Sequence, residues 1–210
     1  SIAAGKYEQA VAIIRERNPF PAVCGRICIH PCEFKCRRGE LDDPVAIRAL
    51  KRFAADWYFD HIGRAEVPFP ATRSQKVAVV GAGPAGLTCA YFLAKMGYPV
   101  HVFEAQPVGG GMLGLAVPEF RLPREVIQEE IAYIESCGVT IHYESPIGAR
   151  HTVHDLMEEG SSAVFIAAGA QAAKAMGIPG EDEGVEGILH GLRFLTEVRS
   201  GEDTRLKGKV

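Results

Sequence analysis

Cys24, Cys28, Cys32 and Cys36 stand in a uniform C-x3-C-x3-C-x3-C run. In a chain whose start carries no secretory signal, thiols clustered this way read as a metal site before they read as disulfides. On one straight helix they would share a face but climb roughly 18 Å, at about 1.5 Å per residue, which is more than one cubane iron–sulfur cluster can span. The run is therefore either bent, with Gly25 and Pro31 as breaking points, or divided between more than one cluster. Structural zinc sites pair two short knuckles across a longer loop, so the uniform spacers favour iron–sulfur over zinc. Arg26, Lys35, Arg37 and Arg38 lie in the same stretch. They either offset the negative charge of a thiolate-ligated cluster or form a solvated basic loop.

A second motif is Gly81-Ala82-Gly83-Pro84-Ala85-Gly86, which fits G-x-G-x-x-G. Alone the pattern is weak, but here a β-rich run precedes it, a helical run follows it, and the next strand ends in an acidic residue, Glu104. Gly81 permits the tight turn, Gly83 lets backbone approach a pyrophosphate, and Gly86 lets the helix pack on the strand. The helix N-terminus then offers free N–H groups to phosphate, and Glu104 offers a carboxylate to a ribose. Both FAD and NAD fit that fingerprint. The following Gly109-Gly110-Gly111-Met112-Leu113 is a second glycine-rich loop that suits a flavin site, and its apolar tail over 112–117 argues against full exposure.

Other reactive residues carry less. Cys89, inside one helix, and Cys137, at the end of another, read as packing residues, and His151 and His154 as solvated imidazoles at a helix start. Glu125, Glu129 and Glu130 read as one exposed helix face. The sequence holds no recognisable Ser–His–Asp or paired-carboxylate arrangement.

The elements that must position these groups follow from pattern. Tyr7, Ala10, Val11 and Ile14 recur at helical spacing, which predicts an N-terminal amphipathic helix ending before Asn18-Pro19. Turns or short helical pieces follow through the cysteine run. A second helix is expected from Asp43-Pro44, with Asp43 as N-cap and an apolar face of Ile47, Leu50, Phe53, Ala54, Trp57 and Tyr58. Strands are expected at 76–80, 100–103 and 139–143, with a buried strand at 163–168. Helices are expected at 84–96, 124–137, 154–159 and about 189–198. This β–turn–α–β order predicts a doubly wound α/β fold.

The 210 residues carry a formal charge of −3 and 47% apolar residues. A disordered chain is excluded, and nucleic acid is a poor partner for so weak a field. No apolar run reaches bilayer length, so neither membrane insertion nor a signal peptide is expected. The expected location is cytoplasmic.

Six stretches together resemble a known family: NPFPAVCGRICIHPCEFKC, PVAIRALKRFAAD, KVAVVGAGPAGLTCAYFLAKMGYPVHVFEA, GGML with PEFRLPREV, AVFIAAGA, and IPGED. The chain resembles the small (beta) subunit of NADPH-dependent glutamate synthase and its relatives, among them the N-terminal half of dihydropyrimidine dehydrogenase. The resemblance implies an NAD(P)H-dependent FAD oxidoreductase that passes electrons through [4Fe–4S] clusters to a partner subunit or domain. It implies a flavin near Gly111, Met112, Leu113 and Arg121, with Ile147, Ala168 and Gly169 lining the adenine and pyrophosphate end. It also implies departures. Relatives carry further cysteines upstream, Lys51 stands where some have a Gln or Glu ligand, and Ala167-Ala168-Gly169 replaces Ala-Thr-Gly.

In the family, LKGKV leads into a second Rossmann domain for NAD(P)H, so this chain is expected to be a fragment, inactive alone. The expected organisation is α/β: a small all-helical iron–sulfur domain (1–63), a linker (64–75) and a truncated Rossmann-like FAD-binding domain (76–210). A non-catalytic electron-transfer or docking subunit is the alternative reading.

Overall fold

The computed structural model describes residues 1–63, 68–181 and 188–202. Part of the expected linker, the end of IPGED and all of LKGKV lie outside the described residues.

The N-terminal unit is helical. α1 (Tyr7–Arg15) buries Ala10 and Val11 against Ala54 and Tyr58 of α4 (Ile47–His61). Between them the cysteine run is broken into α2 (Pro21–Ile27), α3 (Pro31–Phe34) and a 3-10 turn, Arg37–Glu40. Cys28 is extended, and His30 takes a left-handed φ of 46°. These two residues turn the chain before Pro31 opens α3, so the run is bent, one of the two readings its spacing allowed. Of the two expected breaking points, Pro31 lies at the bend and Gly25 lies inside α2.

α4 starts later than expected. Glu33 of α3 accepts the Arg48 N–H at 2.7 Å, which satisfies an orphan donor of the first turn and replaces Asp43 as the cap. The expected apolar face is also only partly used, because Leu50 and Phe53 remain exposed while Ala54, Ala55 and Tyr58 are buried.

The second unit is a parallel sheet in the order β3-β2-β1-β4. Its strands are β1 (Lys76–Val80), β2 (Val100–Phe103), β3 (Val139–His142) and β4 (Ser161–Ile166). Connections run from β1 through α5 (Pro84–Lys95) to β2, then through α6 (Met112–Leu115) and α7 (Arg124–Ser136) to β3. The chain then crosses by α8 (Val153–Glu158) to β4, on the far side of β1. Strand order therefore reverses at β1, and a crevice opens outside the carboxyl ends of β1 and β4.

α5 and α7 cover one face with Leu87, Ala90, Ile127 and Ile134 packed on Val79, Val100 and Val102. On the other face Leu156 of α8 packs on Ala78 and Val80. A capping box between Thr152 and Asp155 fixes where α8 begins. β4 was expected to be buried and is not. Among the described residues it is one of the two edge strands of the sheet, and Phe165 and Ile166 are exposed on it.

The two units share packing. Phe20 and Val23 belong to the same apolar cluster as α5 and α7. Glu130 of α7 is fully buried, not part of an exposed face, and accepts the N–H groups of Ala22 and Val23. Its neighbour Glu125 is exposed as expected. α9 (Gly191–Ser200) packs across α6.

Candidate dinucleotide cleft and cysteine run

β1 ends at Val80, and Gly81 turns the chain with φ 101°, a value L side chains rarely adopt. A Cβ at Gly86 would lie 1.9 Å from the Gly81 carbonyl oxygen, so glycine there lets α5 close on the turn. At Gly83 an added Cβ would meet nothing nearer than the Gly111 Cα at 3.9 Å. That open side lies before the first turn of α5, where Pro84 occupies a position needing no N–H donor and the next amides remain free for an anion.

The second glycine loop crosses the first. Gly110 donates its N–H to the Ala82 carbonyl at 2.8 Å, and a Cβ on Gly111 would come within 2.9 Å of the Gly83 Cα. Two backbone segments approach this closely only without side chains between them.

Glu104 follows β2 and is 7% exposed. One carboxylate oxygen accepts the Ala82 N–H at 2.7 Å and the other the Gln106 N–H at 2.9 Å. The residue expected to meet a ribose thus also braces the glycine turn, and each oxygen retains a second lone pair.

The cleft between these loops measures about 220 Å³. Of the sequence-predicted residues, Gly81, Gly83, Pro84, Ala85, Glu104, Gly111, Met112, Ile147, Ala168 and Gly169 line it. Gly86 acts behind it through packing. Leu113 packs against the main core, and Arg121 lies on the surface, so neither reaches the cleft. Sequence reasoning missed Phe103, Ala105, Pro146 and Gln171, which also line it. The first two were findable as the flanks of the acidic strand end; Gln171 carried no signal.

A glycine-walled crevice with a helix N-terminus at its floor and an acidic acceptor at its side fits the adenosine–pyrophosphate part of FAD. Its size suits that part of the molecule rather than the whole.

The cysteine run gives a different result. Cys24 is in α2, Cys28 ends it, Cys32 is in α3, and Cys36 precedes the 3-10 turn. Several interactions suit sulfur ligands: the His30 N–H lies 3.3 Å from the Cys28 sulfur. Backbone hydrogen bonding at Val45, Arg38 and Gly39 holds the Cys36 thiol below its ordinary pKa. Burial pushes Cys24 up, against a side-chain hydrogen bond to Asn18. Yet among the described residues no three Cys, His, Asp or Glu side chains form a group that could hold a metal ion. The donor type fits an iron–sulfur cluster, but the arrangement does not close around one. Of the nearby basic groups, Arg26 pairs with Asp56 and Arg38 with Asp42.

Two family models match the chain. Residues 1–62 match the family model described as dihydropyrimidine dehydrogenase domain II, 4Fe-4S cluster, and residues 75–208 match pyridine nucleotide-disulphide oxidoreductase. The cofactor types expected from the sequence, a 4Fe–4S cluster and FAD with NAD(P)H, are those of these two families.

The chain is 44% identical to the NADP(+)-dependent formate dehydrogenase subunit beta of Moorella thermoacetica, over 98% of this chain and 32% of that protein. It is also 44% identical to the NADPH-Fe(3+) oxidoreductase subunit beta of Geobacter sulfurreducens, over 98% and 31%. Identity to the NAD-dependent dihydropyrimidine dehydrogenase subunit PreT of Escherichia coli K12 is 37%, over 81% and 41%. The chain thus spans about a third of the length of the first two and two-fifths of the third.

Among solved structures, Mycobacterium tuberculosis FprA in complex with NADPH superposes with a TM-score of 0.53 at 24% identity, covering 60% of this chain and 29% of that one. That likeness speaks for the fold. Among the described residues no helix is long and apolar enough to cross a membrane.

Proposed function

Because the chain belongs to the pyridine nucleotide-disulphide oxidoreductase family, we propose that it forms the flavin-binding and cysteine-rich end of an NAD(P)H-dependent oxidoreductase that works as one subunit of a larger redox complex. The observation that carries this reading is the crossing of two glycine loops at the carboxyl end of β1, with Glu104 at their side.

Bound FAD supplies the exchange between hydride transfer from a nicotinamide and single-electron transfer. The chain's own residues do the holding. The free N–H groups in the first turn of α5 face the pyrophosphate, and Gly83 keeps the approach open. Glu104 accepts the ribose hydroxyls while its backbone bonds keep the carboxylate from swinging away. All of Ile147, Ala168, Gly169, Gly111 and Met112 line the cleft; the first three would wall the adenine end of bound FAD, and the last two would form the wall toward its flavin. Cys24, Cys28, Cys32 and Cys36 are the thiols the cluster module contributes, and no step is assigned to them in the arrangement they hold here. A glutamate synthase-like role is one outlet for such electrons, and the protein is read as cytoplasmic.

Anaerobic purification of the full-length protein tests the reading. Bound flavin that NAD(P)H bleaches, together with acid-labile sulfide, is the expected result. Sulfide without a reducible flavin would transfer support to a non-catalytic electron-transfer subunit, and stoichiometric zinc without iron would sink both.

A further inference from the structure

The loop that carries Gly111 and Met112 has little regular structure of its own, since α6 is one turn long and 116–123 form no helix or strand. Its inner side is held by the core, where Leu122 is fully buried. Its outer side is held by one residue from 77 positions or more downstream, Arg199 in the last turn of α9.

Arg199 is 8% exposed, and its three nitrogens reach three separate points of the loop. Nε donates to the Gly114 carbonyl at 2.9 Å, Nη1 pairs with the Glu119 carboxylate, and Nη2 donates to the Leu122 carbonyl at 3.4 Å. The other Glu119 oxygen accepts the Arg124 N–H at 2.8 Å, and the Arg124 guanidinium donates back to the Arg199 carbonyl at 2.8 Å. The contacts form a closed circuit. A rigid planar fork can serve three divergent acceptors at once, whereas an ammonium is a single point of charge.

We propose that Arg199 is a positioning residue for the flavin-facing wall of the cleft: it fixes where Gly111 and Met112 stand relative to Gly83, and so pre-forms the flavin end of the site. The assignment rests on the reading of the cleft as an FAD site. The circuit touches no cleft atom directly. It acts through the loop, as supporting contacts do when they hold a binding group within a fraction of an ångström of its working position.

FAD titration of the intact protein tests it, with the visible circular dichroism of the bound flavin recorded alongside thermal unfolding without FAD. Arg199→Met is expected to weaken FAD binding between about 10- and 100-fold, the scale of remote misplacement, and to alter the flavin dichroism. Arg199→Lys, which keeps the charge but not the fork, is expected to remain impaired. If Arg199→Met does not fold, Glu119→Gln carries the test, because it removes one charge of the circuit and keeps an acceptor for the Arg124 N–H. Unchanged FAD affinity and dichroism in the folded variant, even with a lowered melting temperature, would overturn the proposal and leave Arg199 a plain staple. A wild-type protein that takes up no FAD would overturn the reading of the cleft itself, and the proposal with it.

Discussion

The carboxylate of Glu130 accepts the backbone N–H of Ala22 at 2.8 Å, across 108 positions of sequence, and joins the cysteine-bearing helix to the α/β unit. Its second oxygen takes the Val23 N–H at 3.1 Å. Two orphan donors at the start of α2 are thereby capped by a side chain from α7. Because α2 carries Cys24, the orientation of the cysteine run relative to the sheet is set in part by this one carboxylate.

Burial pushes the Glu130 pKa from 4.5 up to about 8, against the two backbone hydrogen bonds and the positive charges of Arg15 and Arg26. The folded state therefore keeps a proton that the unfolded chain releases near 4.5. Through the window from 4.5 to about 8 the folded state binds more protons, so stability is greatest below it and falls as pH rises. Urea midpoints measured across that window should decline with pH, and Glu130→Gln should flatten the decline. An equally steep decline in the variant would assign it to other groups. Glu130→Ala should cost about 1–3 kcal/mol at any pH, because it leaves two buried amides without an acceptor.

Arg15 lies over the Tyr133 ring at 3.4 Å and near the Tyr58 ring at 4.6 Å, and the Tyr91 hydroxyl donates to its carbonyl. It is buried, and its Nε and Nη2 have no hydrogen-bond partner among the described residues. Its charge is met by the aromatic faces rather than by a direct ion pair, and Glu130 adds to that balance only as its carboxyl ionises, at about pH 8 and above. Arg15→Met should therefore destabilise the wild type more than it destabilises Glu130→Gln. A double-mutant cycle read by urea unfolding at pH 8 should give a coupling of about 1 kcal/mol, and additivity within error would show that the two sites are independent.

The sequence made the sheet and the cleft legible and left the joint between the units hidden, for physical reasons. Gly81, Gly83 and Gly86 were readable because each answers a local demand of a strand–turn–helix crossing, and a local demand leaves a local pattern. A bend before Pro31 was one of two readings open from the length a straight helix would have spanned, but its seat at Cys28 and His30 was not readable, and Gly25, the other expected break, sits inside α2. Glu130 was misread because it was grouped by charge with Glu125 and Glu129, although its spacing from Ile127 and Ile134 puts it on their buried face; what nothing local reveals is the helix end it caps, 108 positions away. The start of α4 was misplaced for the same reason, since its cap comes from Glu33 rather than from the residue preceding Pro44. β4 looked buried because its composition is apolar, whereas burial is decided by what packs on an edge.

Two glycines of the first loop, Gly86 and Gly83, should separate fold from binding. A Cβ at Gly86 meets the Gly81 carbonyl oxygen, a backbone atom that cannot rotate away. Gly86→Ala should lower stability by about 1–3 kcal/mol as overpacking does, with a matching drop in melting temperature. Gly83→Ala meets only ordinary contact distances, so its melting temperature should stay near the wild type while FAD uptake falls. The reverse pattern would show that the open side of Gly83 faces no ligand.

Glu104 tests the cleft from its other side. Its carboxylate braces the glycine turn through Ala82 and also faces the space a ribose would occupy. Glu104→Gln keeps one acceptor oxygen but presents a donor where the second stood, so either the Ala82 or the Gln106 N–H loses its partner. Glu104→Ala loses both. Charge-assisted bonds of this kind are worth about 1.5–3 kcal/mol each, so FAD retention after dialysis should fall in the order wild type, Gln variant, Ala variant. The Ala variant should lose at least about tenfold in affinity. Full flavin content in the dialysed Ala variant would remove Glu104 from the binding site and leave it only the task of holding the turn.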